Sequence, residues 1–192
     1  MNHSLVRSFI ALYPDAEALE HIAMYIHCLT ARDRSVRWEK PGQVHITLKF
    51  LGDMEPQALD AIAAALETSC RATGEAIGRI DTVGAFPNFR DPGVLWLGFS
   101  TAAERFIALR NIVENVCAQA GLDRERKKFT PHFTIGRVRQ RGRGGDLENV
   151  LHACSFRAVP VRCTSIRIME STLTPKGAIH RERASIILTP GE

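Results

Sequence analysis

Two stretches constrain this chain more than any other: His45-Ile46-Thr47-Leu48-Lys49-Phe50-Leu51-Gly52 and Pro131-His132-Phe133-Thr134-Ile135-Gly136-Arg137. Each is an apolar run carrying polar groups at alternate positions, the pattern of a strand half-buried on one face. Alternation points His45 and Thr47 the same way, and likewise His132 and Thr134. It sends Ile46, Leu48 and Phe50, and on the other strand Phe133 and Ile135, toward a core. By the same rule Lys49 joins His45 and Thr47 on the open face as a candidate phosphate ligand, with only Gly136 at the matching place. Strict alternation puts Arg137 on the face opposite His132, unless the strand end turns it round. Two such strands side by side would set two imidazoles and two hydroxyls around one cleft.

The doubling gives the motif its weight. A single His-x-Thr is expected by chance in roughly 0.4 copies per chain of this composition, and about 0.1 with an aliphatic residue following. Here it occurs twice, each time after an apolar strand and an amphipathic helix. Leu5 to Leu12 precedes a helix from Ala16 to Leu29, with Asp15 as cap; Val94 to Phe99 precedes a helix from Ala102 to Ala120, capped by Ser100 or Thr101 and stopped by Gly121. Further elements are a short strand Val36 to Trp38, a helix Pro56 to Thr73 and strands Ile77 to Val83, Val159 to Met169 and Ile179 to Leu188. Leu147 to Cys154 reads as a short helix. The expectation is a duplicated α+β fold: two antiparallel sheets facing a central cleft, helices outside, residues 1–192 forming one domain of two pseudo-symmetric lobes.

Paired histidines suit in-line displacement at phosphorus. Imidazole titrates near neutrality, so one ring can accept a proton while the other donates one. Threonine hydroxyls can donate to non-bridging phosphate oxygens, and cations can offset growing negative charge. Nothing in this chemistry calls for a metal or a cofactor. The symmetry of the motifs leaves open which histidine is the acid.

The motifs HITLKFLG and PHFTIGR resemble those of the 2H phosphoesterases, and within them most closely the bacterial RNA 2′,3′-cyclic phosphodiesterases of the 2′-5′ RNA ligase family. The likeness runs through RSFIAL, RWEKPGQVHITLKFLGD, the Phe86-Pro87 turn, VLWLGF and the closing Ser171 to Gly177 segment. It implies a bilobal fold, His45 as proton donor to the leaving 3′-oxygen, His132 as proton acceptor from water, and Thr47 and Thr134 as phosphate ligands. Arg137 matches an arginine common in the second family motif. The implied reaction opens RNA 2′,3′-cyclic phosphate ends, or small cyclic nucleotides, to 2′-phosphates. Rival readings are 2′-5′ ligation, cleavage of 2′-5′ linked oligonucleotides, and a non-catalytic RNA- or nucleotide-binding module. Family members often carry Tyr where this chain has His180, which reads as a non-catalytic strand-edge residue.

The rest of the composition sets bounds. The net charge of +4 is compatible with an anionic ligand. Arg124, Arg126, Lys127 and Lys128, with Arg139, Arg141 and Arg143, flank the second motif and could follow an RNA backbone. Trp38, Phe86 and Phe89 are candidate base-stacking surfaces. The five cysteines form no C-x-x-C pair and read as reduced, mostly buried thiols. No apolar run approaches membrane-spanning length and no signal-peptide pattern opens the chain, so a cytoplasmic monomer is expected.

Overall fold

The computed structural model describes residues 5–101, 103–139, 144–175 and 177–189, with the side chains of 144–146 left aside. The strand β1 (Val6–Leu12) runs into α1 (Ala16–Arg32), whose first turn is closed by the Asp15 carboxylate accepting from the Ala18 N–H at 2.9 Å. Then follow β2 (Val36–Trp38), a single 3₁₀ turn at Pro41–Gln43, β3 (Ile46–Met54) and α2 (Pro56–Cys70). The hairpin partners β5 (Thr82–Phe86) and β6 (Val94–Gly98) come after β4 (Ala76–Ile80) and lead to α3 (Glu104–Gln119). The chain closes with β7 (His132–Val138), α4 (Gly144–Ala153), β8 (Val159–Cys163), β9 (Ser165–Thr174) and β10 (Gly177–Ile187).

The fold is α+β, as the sequence pattern predicts. One four-stranded sheet has the order β10-β9-β1-β3, the other β2-β7-β6-β5, and β4 pairs with β8 in a two-stranded ribbon; all these pairings are antiparallel. With β2 and the 3₁₀ turn set aside, strand, helix, strand, helix, strand, strand occurs twice, as β1-α1-β3-α2-β4-β5 and β6-α3-β7-α4-β8-β9. The final strand of each half lies in the sheet begun by the other: β5 beside β6, and β9 beside β1. Ile10, Leu12, Ile46, Leu48, Leu95, Leu97, Phe133 and Ile135 are buried in a core shared with the helices. On its other face the first sheet carries a smaller cluster of Phe9, Ala11 and Met169, with Tyr13 packed against it.

Three expectations need correction. The cysteines are not all free thiols: Cys28 and Cys154 are bridged, while Cys70, Cys117 and Cys163 are free and buried. Packing of α4 against α1, with the Tyr25 hydroxyl donating to the Leu151 carbonyl at 2.8 Å, brings the two Cα atoms to 6.0 Å, which sequence spacing could not reveal. Ser100 does not cap α3; its hydroxyl and backbone N–H donate to Asp81, and the helix begins beyond Ala103 without a side-chain cap. Strand alternation also fails inside both motifs. Against β1, Ala11 pairs with Thr47 but Ile10 with Lys49; against β6, Trp96 pairs with Thr134 but Leu95 with Gly136. Leu48 and Ile135 are therefore extra residues, a bulge at the same place in each half, and the side chains directly beyond them are turned to the other face; β3 slips once more at Leu51.

Candidate active site

The twin bulges build the site. Past Leu48, Phe50 swings out of the expected core position and is 71% exposed, while Lys49 turns inward and is only 7% exposed. Past Ile135, Arg137 swings onto the face of His132 and Thr134. Thr47, Phe50, His132, Thr134 and Arg137 thus share one cleft of about 950 Å³ between the two motif strands. Of the aromatic candidates, Phe86 is a cleft wall. Trp38 is instead packed over Gly136, its indole N–H donating to the Asp33 carbonyl at 2.9 Å, and Phe89 is packed against the core. Arg124, Arg126, Lys127 and Lys128 line the same cleft. Arg141 and Arg143 lie outside the described residues.

Both imidazoles are held by one device. His45 Nδ1 lies 2.6 Å from the Gln43 carbonyl, and His132 Nδ1 lies 2.7 Å from the Thr130 carbonyl, two residues upstream in each case. A carbonyl can only accept, so Nδ1 carries the hydrogen in both rings and Nε2 is the nitrogen left for proton transfer. The aromatic settings differ. The His45 ring stacks on Phe9 at 4.9 Å between centroids, with Tyr13 at 5.4 Å and His180 edge-on at 5.9 Å. The His132 ring meets Phe86 edge-on at 4.8 Å and lies 6.1 Å from Trp96.

Electrostatics separates them further. Burial pushes His45 down to about 4, and His180, Arg137 and His132 lower it further, against the partial opposition of the Gln43 hydrogen bond. His132 is also held below the ordinary imidazole value, first by burial and then by Arg137, with the Thr130 hydrogen bond opposing. Both rings are thus neutral at pH 7, and an anion bound beside them would favour the protonated forms. Arg137 Nε donates to Glu39 at 3.2 Å and its guanidinium stays about half exposed. Lys49 does not present its ammonium to the cleft as expected: Nζ donates to Glu114 at 3.0 Å and to the Asp123 carbonyl at 2.8 Å. Among the described residues no group of three or more His, Cys, Asp and Glu side chains is placed to hold a metal ion. No helix there is long and apolar enough to cross a membrane.

The family model of the 2′-5′ RNA ligase superfamily matches residues 15–174. The chain belongs to this superfamily. Proteins named RNA 2′,3′-cyclic phosphodiesterase are similar over most of their length. That of Thermotoga maritima is 30% identical over 176 residues, 92% of each chain. That of Methanothermobacter thermautotrophicus is 30% identical over 178 residues, 92% of this chain and 96% of the relative. Among solved structures, Escherichia coli LigT in apo form gives a TM-score of 0.73 at 20% identity, covering 97% of this chain and 99% of that one. A Thermus thermophilus protein gives 0.78 at 20% identity, covering 97% and 100%. These structural likenesses show the same fold over nearly the whole chain.

Two neighbours of the candidate site are placed differently by sequence reasoning. His180, which the resemblance marks as a position where family members often carry Tyr, lies on β10, meets Phe9 edge-on at 4.9 Å and so borders His45. Phe50 falls in the core by strict alternation, because a bulge leaves no mark in the sequence. Its one sequence signal is that Phe50 and Arg137 stand five residues after their respective histidines.

Proposed function

We propose that this chain hydrolyses RNA 2′,3′-cyclic phosphate ends to 2′-phosphates, acting as one two-lobed domain. The observation that carries the reading is the matched anchoring of His45 and His132 through Nδ1, which leaves Nε2 of each for proton transfer, with a threonine two residues on in both strands. The names of relatives at 30% identity point to the same activity. His132 Nε2 takes a proton from water as its oxygen attacks phosphorus; His45 Nε2 gives a proton to the 3′-oxygen as its bond to phosphorus breaks. Thr47, Thr134 and Arg137 hold the non-bridging oxygens, where charge grows. One chain supplies both histidines, so a monomer is complete. His45 is neutral at pH 7 without substrate, so this role requires the phosphate monoanion to raise its proton affinity on binding.

The test is turnover of an oligoribonucleotide with a 2′,3′-cyclic phosphate end in excess EDTA, the product assigned by phosphorus NMR. The expected product is the 2′-phosphate. A 3′-phosphate would reverse which oxygen leaves and overturn the roles of the histidines. No turnover, with binding that survives His45→Ala and His132→Ala, would replace the enzyme with a binding module.

A further inference from the structure

The two halves differ most at the outer edge of their motif strands. In the second half β7 is covered by β2, with Trp38 opposite Gly136. A Cβ on Gly136 would meet Val36 at 2.6 Å and the Trp38 ring at 2.8 Å, so that edge is closed by backbone pairing and has no room for a side chain. The matching edge of β3 has no paired strand among the described residues. The segment that corresponds to β2 by its distance ahead of the motif histidine is Asp123-Arg124-Glu125. It lies beside β3, held by side chains in place of a ladder. Lys49 Nζ donates to the Asp123 carbonyl at 2.8 Å, the Glu114 carboxylate accepts from the Glu125 N–H at 3.2 Å, and Arg110 donates to the Glu125 carbonyl at 3.4 Å. Glu114 is 2% exposed and is shared by Lys49 at 3.0 Å and Arg110 at 3.4 Å. A buried carboxylate with two cations holds its geometry tightly, because separating any member leaves an uncompensated charge.

Beyond this clamp the chain presents Arg126, Lys127 and Lys128, all exposed and all walls of the cleft that holds His132 and Thr134. Among the described residues none of the three forms an ion pair with a carboxylate; Glu125 turns back to accept from the Lys127 N–H at 3.0 Å. Phe50 and Phe129 line the cleft beside them. Exposed cations in a row next to aromatic faces suit a single-stranded polynucleotide, whose phosphates repeat along the row and whose bases stack. A mononucleotide has no phosphate to place there.

Building on the proposed reaction, we infer that residues 123–128 form a polynucleotide-tracking arm. The buried Lys49–Glu114–Arg110 cluster holds it in place, and it makes the cleft select RNA chains over mononucleotide cyclic phosphates. Lys49 is then a positioning residue, acting through the arm and not on the reacting phosphate.

The experiment compares KM for a short oligoribonucleotide ending in a 2′,3′-cyclic phosphate with KM for a mononucleotide 2′,3′-cyclic phosphate, across a salt series. Replacing Arg126, Lys127 and Lys128 together by Ser is expected to raise the oligonucleotide KM at least tenfold relative to the mononucleotide KM. It should also flatten the logarithmic salt dependence of oligonucleotide binding by about 2, at about 0.7 for each phosphate no longer neutralised. Lys49→Met is expected to shift the same ratio in the same direction, with kcat on the mononucleotide changed far less. Equal effects on both substrates, or an unchanged salt slope, would overturn the inference. Binding of fluorescent oligoribonucleotide and competing mononucleotide, both 3′-phosphate-ended, is read in parallel by anisotropy. The arm is therefore tested even if no cyclic ester is turned over.

Discussion

The two motif strands share a backbone and diverge in what they carry. Each has the histidine anchored through Nδ1, the threonine two residues on, and a bulge directly after it. Beyond the bulge one strand offers Lys49 and Phe50, the other Gly136 and Arg137. The first half contributes an aromatic face and a buried ammonium; the second contributes a half-exposed guanidinium on a closed edge. Symmetry thus accounts for the paired histidines, and departure from symmetry supplies direction. Under the proposed function, a ligand with a charged phosphate and a flat base would have one orientation in which both ends are matched.

That comparison can be broken most severely at what the halves share. His45→Ala and His132→Ala should each lower kcat by about 10²–10⁴-fold, the usual range for a general acid or base. Wild-type rates in either variant would remove the paired mechanism. The next largest effect separates the halves. Arg137→Ala should lower kcat by about 10²-fold, the scale of losing one donor to developing charge. Phe50→Ala should act mainly on KM, by about tenfold, as lost stacking does. If Phe50→Ala lowered kcat and Arg137→Ala moved only KM, the orientation drawn from their asymmetry would be inverted.

Proton affinity sharpens the comparison with smaller effects. His45 lies at about 4 and His132 below its ordinary value, so kcat/KM should form a bell centred on the acid side of neutrality. The kcat profile should sit at higher pH, because the bound anion favours both imidazolium forms. Coincident profiles would show that the ligand does not raise them. Stability should respond to His45 as well. Its folded value lies below the unfolded one, so the unfolded chain binds more protons between about pH 6.5 and 4, and stability falls as pH falls through that window. The contribution has an upper limit of about 3 kcal/mol, at 1.36 kcal/mol per unit. Calorimetric Tm should fall by several degrees from pH 7 to 4.5, and less steeply in His45→Gln. Equal slopes would locate the acid sensitivity elsewhere.

Most of the architecture is legible in the sequence because it follows from regular periods. The spacing of Leu19, Ile22, Ala23, Ile26 and Leu29 marks α1, and Asp15 marks its start. The alternation around His45 and His132 marks the motif strands, and their doubling marks the cleft. What escapes is set by partners distant in sequence. A bulge depends on what the neighbouring strand pairs with, so Leu48 and Ile135 look like ordinary core positions, and alternation gives Phe50, Lys49 and Arg137 the wrong face. The same holds for the Cys28–Cys154 bridge, made possible by α1 packing on α4, and for His180, brought beside His45 by the sheet.

The strand exchange between halves carries a consequence for how the protein can be taken apart. Because β5 completes the sheet of the second motif and β9 that of the first, neither half owns a whole sheet. A fragment ending after β5 would leave β1 with an open edge and β5 without its partner β6, so it could close only by finding a second copy of itself. The covalent chain is then the equivalent of an interlocked pair whose two arms have been tied. Each motif strand therefore sits in a sheet completed by the other half, so a cut between the halves would disturb both histidines at once.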